Sequence, residues 1–222
     1  MNPNHPSDPM PTWNHAPIPA REALERLREG NRLFASGELS RETRPSHPRV
    51  AAAAQQAPFA IILGCSDSRV PAEIVFGQGL GDLFVIRVAG NIVAPSQVGS
   101  VEFAAASFGT RLVVVLGHTG CGAVLATLDE LQQPTEDQSP NLRSIVDRVR
   151  PSVEGMLKTE LRHDQEALVR QAVRANIAVS VDHLRHGSEI LEELIRVEGL
   201  RVVGAEYSLE TGIVEFLDDG QP

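Results

Sequence analysis

Leu112-Val113-Val114-Val115-Leu116 is an unbroken apolar run of strand length, and the segment Gly117-His118-Thr119-Gly120-Cys121 follows it directly. A run that is rich in β-branched residues and lacks polar alternation is typical of a strand covered on both faces. The same pattern occurs at Phe59–Leu63, which Cys65 follows after a single glycine, and again at Leu83–Val88. We therefore predict three buried strands, two of which end in side chains that can bind a metal.

Segments in which apolar residues recur at helical spacing alternate with these strands. They are Ala20–Phe34, Val98–Phe108, Ala123–Leu131 and Glu166–Glu198, the last interrupted near Gly187. Two more strands, Leu200–Tyr207 and Ile213–Leu217, are joined by the turn Glu210-Thr211-Gly212. This order predicts an α/β fold with a central, mostly parallel β-sheet, in which about four parallel strands and an antiparallel edge strand are flanked by helices.

The length and composition of the chain predict one domain preceded by an arm. The sequence has 222 residues, of which 42% are hydrophobic, enough for a single large core. Residues 1–19 contain six prolines, too many for a helix or a sheet, and are expected to form a flexible arm. The single domain is expected to span residues 20–222.

Charge and hydropathy exclude several classes of partner. The formal net charge of −9 argues against nucleic acid, because phosphate binding needs clustered lysine and arginine. No apolar stretch approaches the roughly 20 residues needed to cross a bilayer, so no membrane association is expected. The N-terminus lacks the basic start and apolar core of a signal peptide. We therefore expect a cytoplasmic protein in a reducing compartment, where its two cysteines stay free.

The two cysteines and one histidine form a candidate metal site. Functional residues in open α/β sheets collect at the carboxyl ends of strands, and adjacent strands lie about 4.8 Å apart. Cys65, His118 and Cys121 can therefore share one zinc ion, and three protein ligands leave the fourth position open for catalysis. Taken singly, each is as easily a buried thiol or a strand-end histidine. A Cys65–Cys121 disulfide is the other alternative, which a reducing compartment disfavours.

A carboxylate and an arginine follow the first cysteine closely. Asp67 lies two residues after Cys65, where its carboxylate can accept a hydrogen bond from a water molecule at the metal. Arg69 can hold that carboxylate bidentately and keep it ionised. Because two thiolates offset the charge of a divalent ion, such a site gains from a carboxylate that orients the water.

These segments resemble the two signature motifs of the β-class carbonic anhydrases. The motifs are Cys65-Ser66-Asp67-Ser68-Arg69 and His118-Thr119-Gly120-Cys121-Gly122, and the similarity extends from about Ala20 to Leu217. The resemblance implies a zinc lyase, with one Zn²⁺ per subunit, that converts carbon dioxide to bicarbonate and a proton by attack of zinc-bound hydroxide. It also implies that Cys65, His118 and Cys121 are the zinc ligands and that Asp67 and Arg69 are the catalytic pair.

Other consequences of the resemblance concern substrate binding and assembly. Gln56, Phe84 and Phe103 match substrate-pocket positions that the neighbouring subunit supplies, and a homo-oligomer is implied, either a dimer or a dimer of dimers. One position departs from the family pattern. Members regulated by bicarbonate in a non-catalytic pocket carry tryptophan where this chain has Ile62, although Arg87 and Tyr207 match the pocket. We therefore expect Asp67 to leave the fourth zinc position to water.

Two alternative functions remain open from the sequence. Carbon disulfide and carbonyl sulfide are also linear electrophiles, so a hydrolase of either could use the same fold. A zinc-stabilised binding or sensing protein without catalysis is the second alternative. The complete set of ligands together with Asp67 and Arg69 argues against it.

Overall fold

The computed structural model describes residues 18–39, 56–134 and 139–217. The helices are α1 (Ala20–Ala35), α2 (Ala72–Val75), α3 (Pro95–Phe108), α4 (Gly122–Gln132), α5 (Pro140–Val153), α6 (Gln165–His186) and α7 (Glu189–Glu198). The strands are β1 (Ala60–Gly64), β2 (Leu83–Arg87), β3 (Leu112–His118), β4 (Arg201–Tyr207) and β5 (Val214–Phe216). Short 3₁₀ turns lie at Ala89–Asn91, Met156–Lys158 and Glu160–His163.

The five strands form one mixed sheet in the order β2-β1-β3-β4-β5. The β1 strand pairs in parallel with both β2 and β3, and β3 pairs in parallel with β4. The β5 strand runs antiparallel to β4 at one edge. The predicted fold class, four parallel strands with an antiparallel edge strand, is therefore confirmed.

Alternating side chains of the central strands enter two separate cores. Ile61 and Leu63 belong to a cluster beneath α3 to α7, whereas Ala60 and Ile62 belong to a cluster beneath α1 and α2. All residues of β1 and β3 are buried. This two-sided coverage explains why the strands lack polar alternation.

Helix α6 packs closely against the middle of the sheet. A Cβ built on Gly117 of β3 would lie 2.5 Å from Ile177 Cδ1, and one built on Gly204 of β4 would lie 2.8 Å from Ile177 Cγ2. Glycine is therefore required at both strand positions for Ile177 to fit. The predicted interruption of the last helical stretch is also found, because α6 ends at His186 and Ser188 caps α7.

Helices α2 and α5 are the two helices that the sequence patterns did not predict, and α5 is the longer. The buried residues of α5 are Val146, Val149 and Val153, Ile145 packs partly buried beside them, and the helix also contains Pro151. The Ser139 side chain accepts a hydrogen bond from the Asn141 backbone N–H at its start. The apolar residues of this segment do recur at helical spacing, but Pro151 within it is a residue that normally ends or kinks a helix.

Two further predictions are limited by the described residues. The predicted arm, residues 1–19, lies outside them except for Ile18 and Pro19, and the Pro19 carbonyl accepts a hydrogen bond from the Ala23 N–H. A single domain over residues 20–222 stays a prediction. Among the described helices, none combines the length and apolar character that a membrane span requires.

Candidate metal centre

The candidate ligands lie at the carboxyl edge of the sheet. Strand β1 ends at Gly64, one residue before Cys65, and its neighbour β3 ends at His118. Cys121 is the N-cap residue of α4, which begins at the next residue. The parallel pairing of β1 with β3 brings the two loops together, as the sequence predicts.

The three side chains form a compact, buried cluster. The Sγ atoms of Cys65 and Cys121 are 3.9 Å apart, and the candidate ligand atoms of all three residues lie within 4.8 Å of one another. His118 is 0% exposed, and both cysteines are free. A single small ion could therefore be reached by all three ligand atoms.

The imidazole of His118 is oriented for binding through one nitrogen. Its Nδ1 lies 2.9 Å from the Thr119 carbonyl oxygen, which can only accept, so Nδ1 carries the proton. Its Nε2 is buried and has no hydrogen-bond partner among the described residues. An unpaired buried nitrogen is costly unless a ligand satisfies it. This is the tautomer that a metal-binding histidine needs.

The two thiols influence each other's ionisation. A hydrogen bond from the Cys121 thiol to the Cys65 sulfur lowers the pKa of Cys65 to about 4. Burial opposes this effect, whereas His118 and the Gly90 N–H act in the same direction. The negative sulfur of Cys65, together with burial, raises the pKa of Cys121 above its usual range. Burial lowers the pKa of His118, but its contacts with Cys65 and Thr119 outweigh burial and raise it overall. Two cysteine sulfurs and one imidazole nitrogen are the donor types that zinc prefers, and binding of the ion would release any proton that these groups carry.

The Asp67 carboxylate lies beside this cluster. Its Oδ2 is 3.9 Å from His118 Nε2 and accepts from Arg69 Nη2 at 2.7 Å. Its Oδ1 accepts from Arg69 Nε and from the Arg69 backbone N–H, each at 2.9 Å. These donors hold the pKa of Asp67 well below its usual range. Both carboxylate oxygens are thus held by Arg69, as the sequence leads us to expect.

Arg87 at the end of β2 holds the loop that carries Cys65 and Asp67. Its Nε donates to the Cys65 carbonyl at 3.1 Å, and its Nη2 donates to the Asp67 carbonyl at 2.6 Å. Sequence reasoning assigned Arg87 only to a bicarbonate pocket and missed this contact. An arginine at the end of a strand beside the metal loop is the signal that could have revealed it.

The second loop is held by the turn between β4 and β5. The Thr119 backbone N–H donates to the Tyr207 carbonyl at 3.0 Å. The Thr119 hydroxyl donates to Glu210 Oε2 at 3.0 Å and accepts from the Leu209 N–H at 3.1 Å. The residue whose carbonyl orients His118 is therefore bound on three sides. Sequence reasoning did not identify this role for Thr119 or Glu210.

The three predicted substrate residues do not gather with the cluster. Phe84 lies on β2 opposite Ile61 of β1. Ile61 precedes Cys65 by four residues, which is about 13 Å along an extended strand. Its ring packs 6.1 Å from that of Phe103, which is 44% exposed on α3. Gln56 is exposed and lies next to Gly81. Their substrate roles stay predictions, since a neighbouring subunit was expected to supply them.

Comparison with known proteins gives matches that cover almost the whole chain. A family model described as carbonic anhydrase matches residues 60–214. Carbonic anhydrase 2 of Mycobacterium tuberculosis is 39% identical, with 91% of this chain and 93% of that protein covered. A carbonic anhydrase of Mycolicibacterium smegmatis is 37% identical, with 93% of this chain and 95% of that protein covered.

Solved structures share the fold. The β-carbonic anhydrase CafA of Aspergillus fumigatus has a TM-score of 0.68 and 28% identity, with 91% of this chain and 92% of that chain covered. A tetrameric β-carbonic anhydrase of Sordaria macrospora has a TM-score of 0.70 and 24% identity, with 90% of this chain and all of that chain covered. At the lower identity the likeness concerns the fold alone.

Proposed function

This chain belongs to the β-carbonic anhydrases, and from that premise we propose that it catalyses the reversible hydration of carbon dioxide to bicarbonate and a proton with one zinc ion per subunit. The observation that carries the proposal is the buried cluster of Cys65, His118 and Cys121 beside a carboxylate held by Arg69. The unpaired Nε2 of His118 supports a ligand role for that nitrogen.

The cluster would hold zinc through the two sulfur atoms and His118 Nε2. When bound there, zinc supplies Lewis acidity that makes a water molecule a stronger nucleophile at neutral pH. The Thr119 carbonyl keeps the proton of His118 on Nδ1, so that Nε2 remains available as a ligand. Burial of all three side chains keeps bulk water away from the ligand atoms.

Asp67 would orient the attacking water. Its depressed pKa keeps the carboxylate ionised at neutral pH, so it can only accept hydrogen bonds. Arg69 donates twice to Oδ1 and once to Oδ2, which leaves a lone pair of Oδ2, the oxygen nearer His118, to accept a proton from the water molecule and orient it toward carbon dioxide. The catalytic pair therefore acts by orientation, with Arg69 positioning Asp67.

We further propose that the active unit is a homo-oligomer, in which Gln56, Phe84 and Phe103 of a neighbouring subunit line the substrate pocket. The support is an exposed apolar surface beside the edge strand β2. Phe103 is 44% exposed and Leu80 is 64% exposed, and both are large side chains whose burial would favour association. The cytoplasmic location inferred from the sequence remains a prediction.

The test is stopped-flow hydration of carbon dioxide, with zinc content and molecular mass measured on the same sample. We expect turnover that scales with zinc content and a mass corresponding to a dimer or a tetramer. A zinc-loaded protein without hydration activity would contradict the proposed reaction. Parallel assays with carbon disulfide and carbonyl sulfide distinguish hydration of carbon dioxide from hydrolysis of these gases. A fully active monomer would contradict the shared substrate pocket.

A further inference from the structure

A turn with two left-handed residues lies directly behind the candidate ligand Cys65. Gly90 and Asn91, in the 3₁₀ turn after β2, both have left-handed backbone conformations, with φ values of 72° and 44°. The Gly90 N–H donates to Cys65 Sγ at 3.4 Å. Glycine adopts a positive φ freely and asparagine tolerates it better than most other residues, so hydrogen bonds to the carbonyls of this turn decide where it lies.

These hydrogen bonds come from two buried polar side chains of α6. Asn176 Nδ2 donates to the Gly90 carbonyl at 2.8 Å, and the Ser180 hydroxyl donates to the Asn91 carbonyl at 3.0 Å. The two residues are one helical turn apart and are 2% and 4% exposed. The two side chains therefore donate to the two consecutive carbonyls of this turn, one to each.

The helix that carries these donors is itself fixed against the sheet. Ile177, between Asn176 and Ser180, occupies the space that a Cβ on Gly117 or Gly204 would need. Helix α6 therefore presents its two donors to the turn from a fixed position on the sheet. A Cβ on Gly90 would come within 3.0 Å of the Ala123 Cβ, so the turn is confined on that side as well.

We propose that Asn176 and Ser180 are positioning residues, which hold the Gly90 N–H on Cys65 Sγ and thereby set the donor strength of this sulfur toward the metal. The inference rests on the proposed metal site. A hydrogen bond to a thiolate withdraws electron density from sulfur, and such bonds tune metal–thiolate centres. Loss of the bond leaves a more electron-rich and less firmly oriented sulfur.

The test uses cobalt(II) in place of zinc, because cobalt–thiolate sites show sulfur-to-metal charge-transfer absorption. Asn176→Ala removes one donor of the pair, and Ser180→Ala removes the other with a smaller change in volume. In both variants we expect the charge-transfer band to move to longer wavelength. We also expect cobalt loss to a chelator to be about 10-fold faster, because the sulfur is no longer held in one orientation. Ser180→Thr keeps the hydroxyl and should restore the wild-type band.

The matched control is Thr110→Val, which removes another buried hydroxyl. The Thr110 hydroxyl donates to the Pro58 carbonyl at 2.6 Å, at the end of the sheet opposite the ligand cluster, where β1 and β3 begin. We expect it to lower thermal stability while the band stays in place. The proposal is overturned if Ser180→Ala leaves both the band and the rate of cobalt loss at wild-type values, or if Thr110→Val shifts the band equally. A wild-type protein that takes up no cobalt would overturn the proposed metal site and this inference together.

Discussion

The two loops at the carboxyl edge of the sheet are built in different ways. The loop after β1 supplies one candidate ligand, Cys65, and the pair of half-buried Asp67 with exposed Arg69, and side chains hold it in place. The end of β3 and the loop after it, which we call the second loop, supply the candidate ligands His118 and Cys121. The second loop is joined to β4 through the Thr119 backbone N–H and to the turn after β4 through the Thr119 hydroxyl. From this difference we expect the second loop to contribute more to holding a metal ion, and the first loop to contribute more to reactivity through Asp67 and Arg69.

The largest effect is expected from Cys121→Ser in the second loop. Cys121 is 1% exposed, and a serine hydroxyl is a far poorer zinc ligand than a thiolate. The purified variant should lose most of its zinc and all measurable hydration activity, as measured by elemental analysis and stopped flow. Ser68→Ala, in the exposed part of the first loop, is the control that should keep full zinc. Stoichiometric zinc in Cys121→Ser would contradict its role as a ligand.

A smaller effect of a different kind is expected from Asp67→Asn in the first loop. The amide has the same shape but loses the negative charge, so it should lower carbon dioxide hydration by about 100-fold or more while zinc is retained. Stopped-flow rates normalised to zinc content measure this. Glu73→Gln, on nearby α2, removes an exposed charge without touching the site and should leave the rate unchanged. Unchanged hydration in Asp67→Asn would remove Asp67 from the mechanism.

The smallest effect is expected from Thr119→Val, which keeps the backbone of the second loop and removes its hydroxyl bonds to Glu210 and Leu209. Because Thr119 orients His118 through its carbonyl, we expect zinc affinity to fall by about 10-fold, as measured by competition with a chromophoric chelator. Thr119→Ser should restore most of the affinity. If the Thr119→Val and Thr119→Ser variants bind zinc equally well, the turn between β4 and β5 does not support the second loop.

The sheet could be predicted because its signal is local. Each central strand is a continuous apolar run, and each stays buried in the structure on both faces. The end of β3 was harder to predict, since Gly117 and His118 look like loop residues. They extend the strand because they pair with Glu206 and Tyr207 of β4.

The ligand cluster could be predicted from the same strands, whereas the residues that support it could not. The carboxyl ends of parallel strands meet at one edge, so Cys65 and His118 come together from topology alone. Asn176 lies 86 residues from its partner Gly90, and nothing local connects them. A signal does exist, because Asn176 and Ser180 interrupt the buried face of α6 with two polar side chains one turn apart.

The separation of the two cores has a consequence for protein engineering. The core beneath α3 to α7 contains both Cys65 and Cys121, whereas the core beneath α1 and α2 contains no member of the ligand cluster. Substitutions in the first core change the packing around the candidate metal site as well as stability. Libraries for thermostability are therefore best directed at the part of the second core around Leu27 and Val75, where packing can be improved away from the ligand cluster.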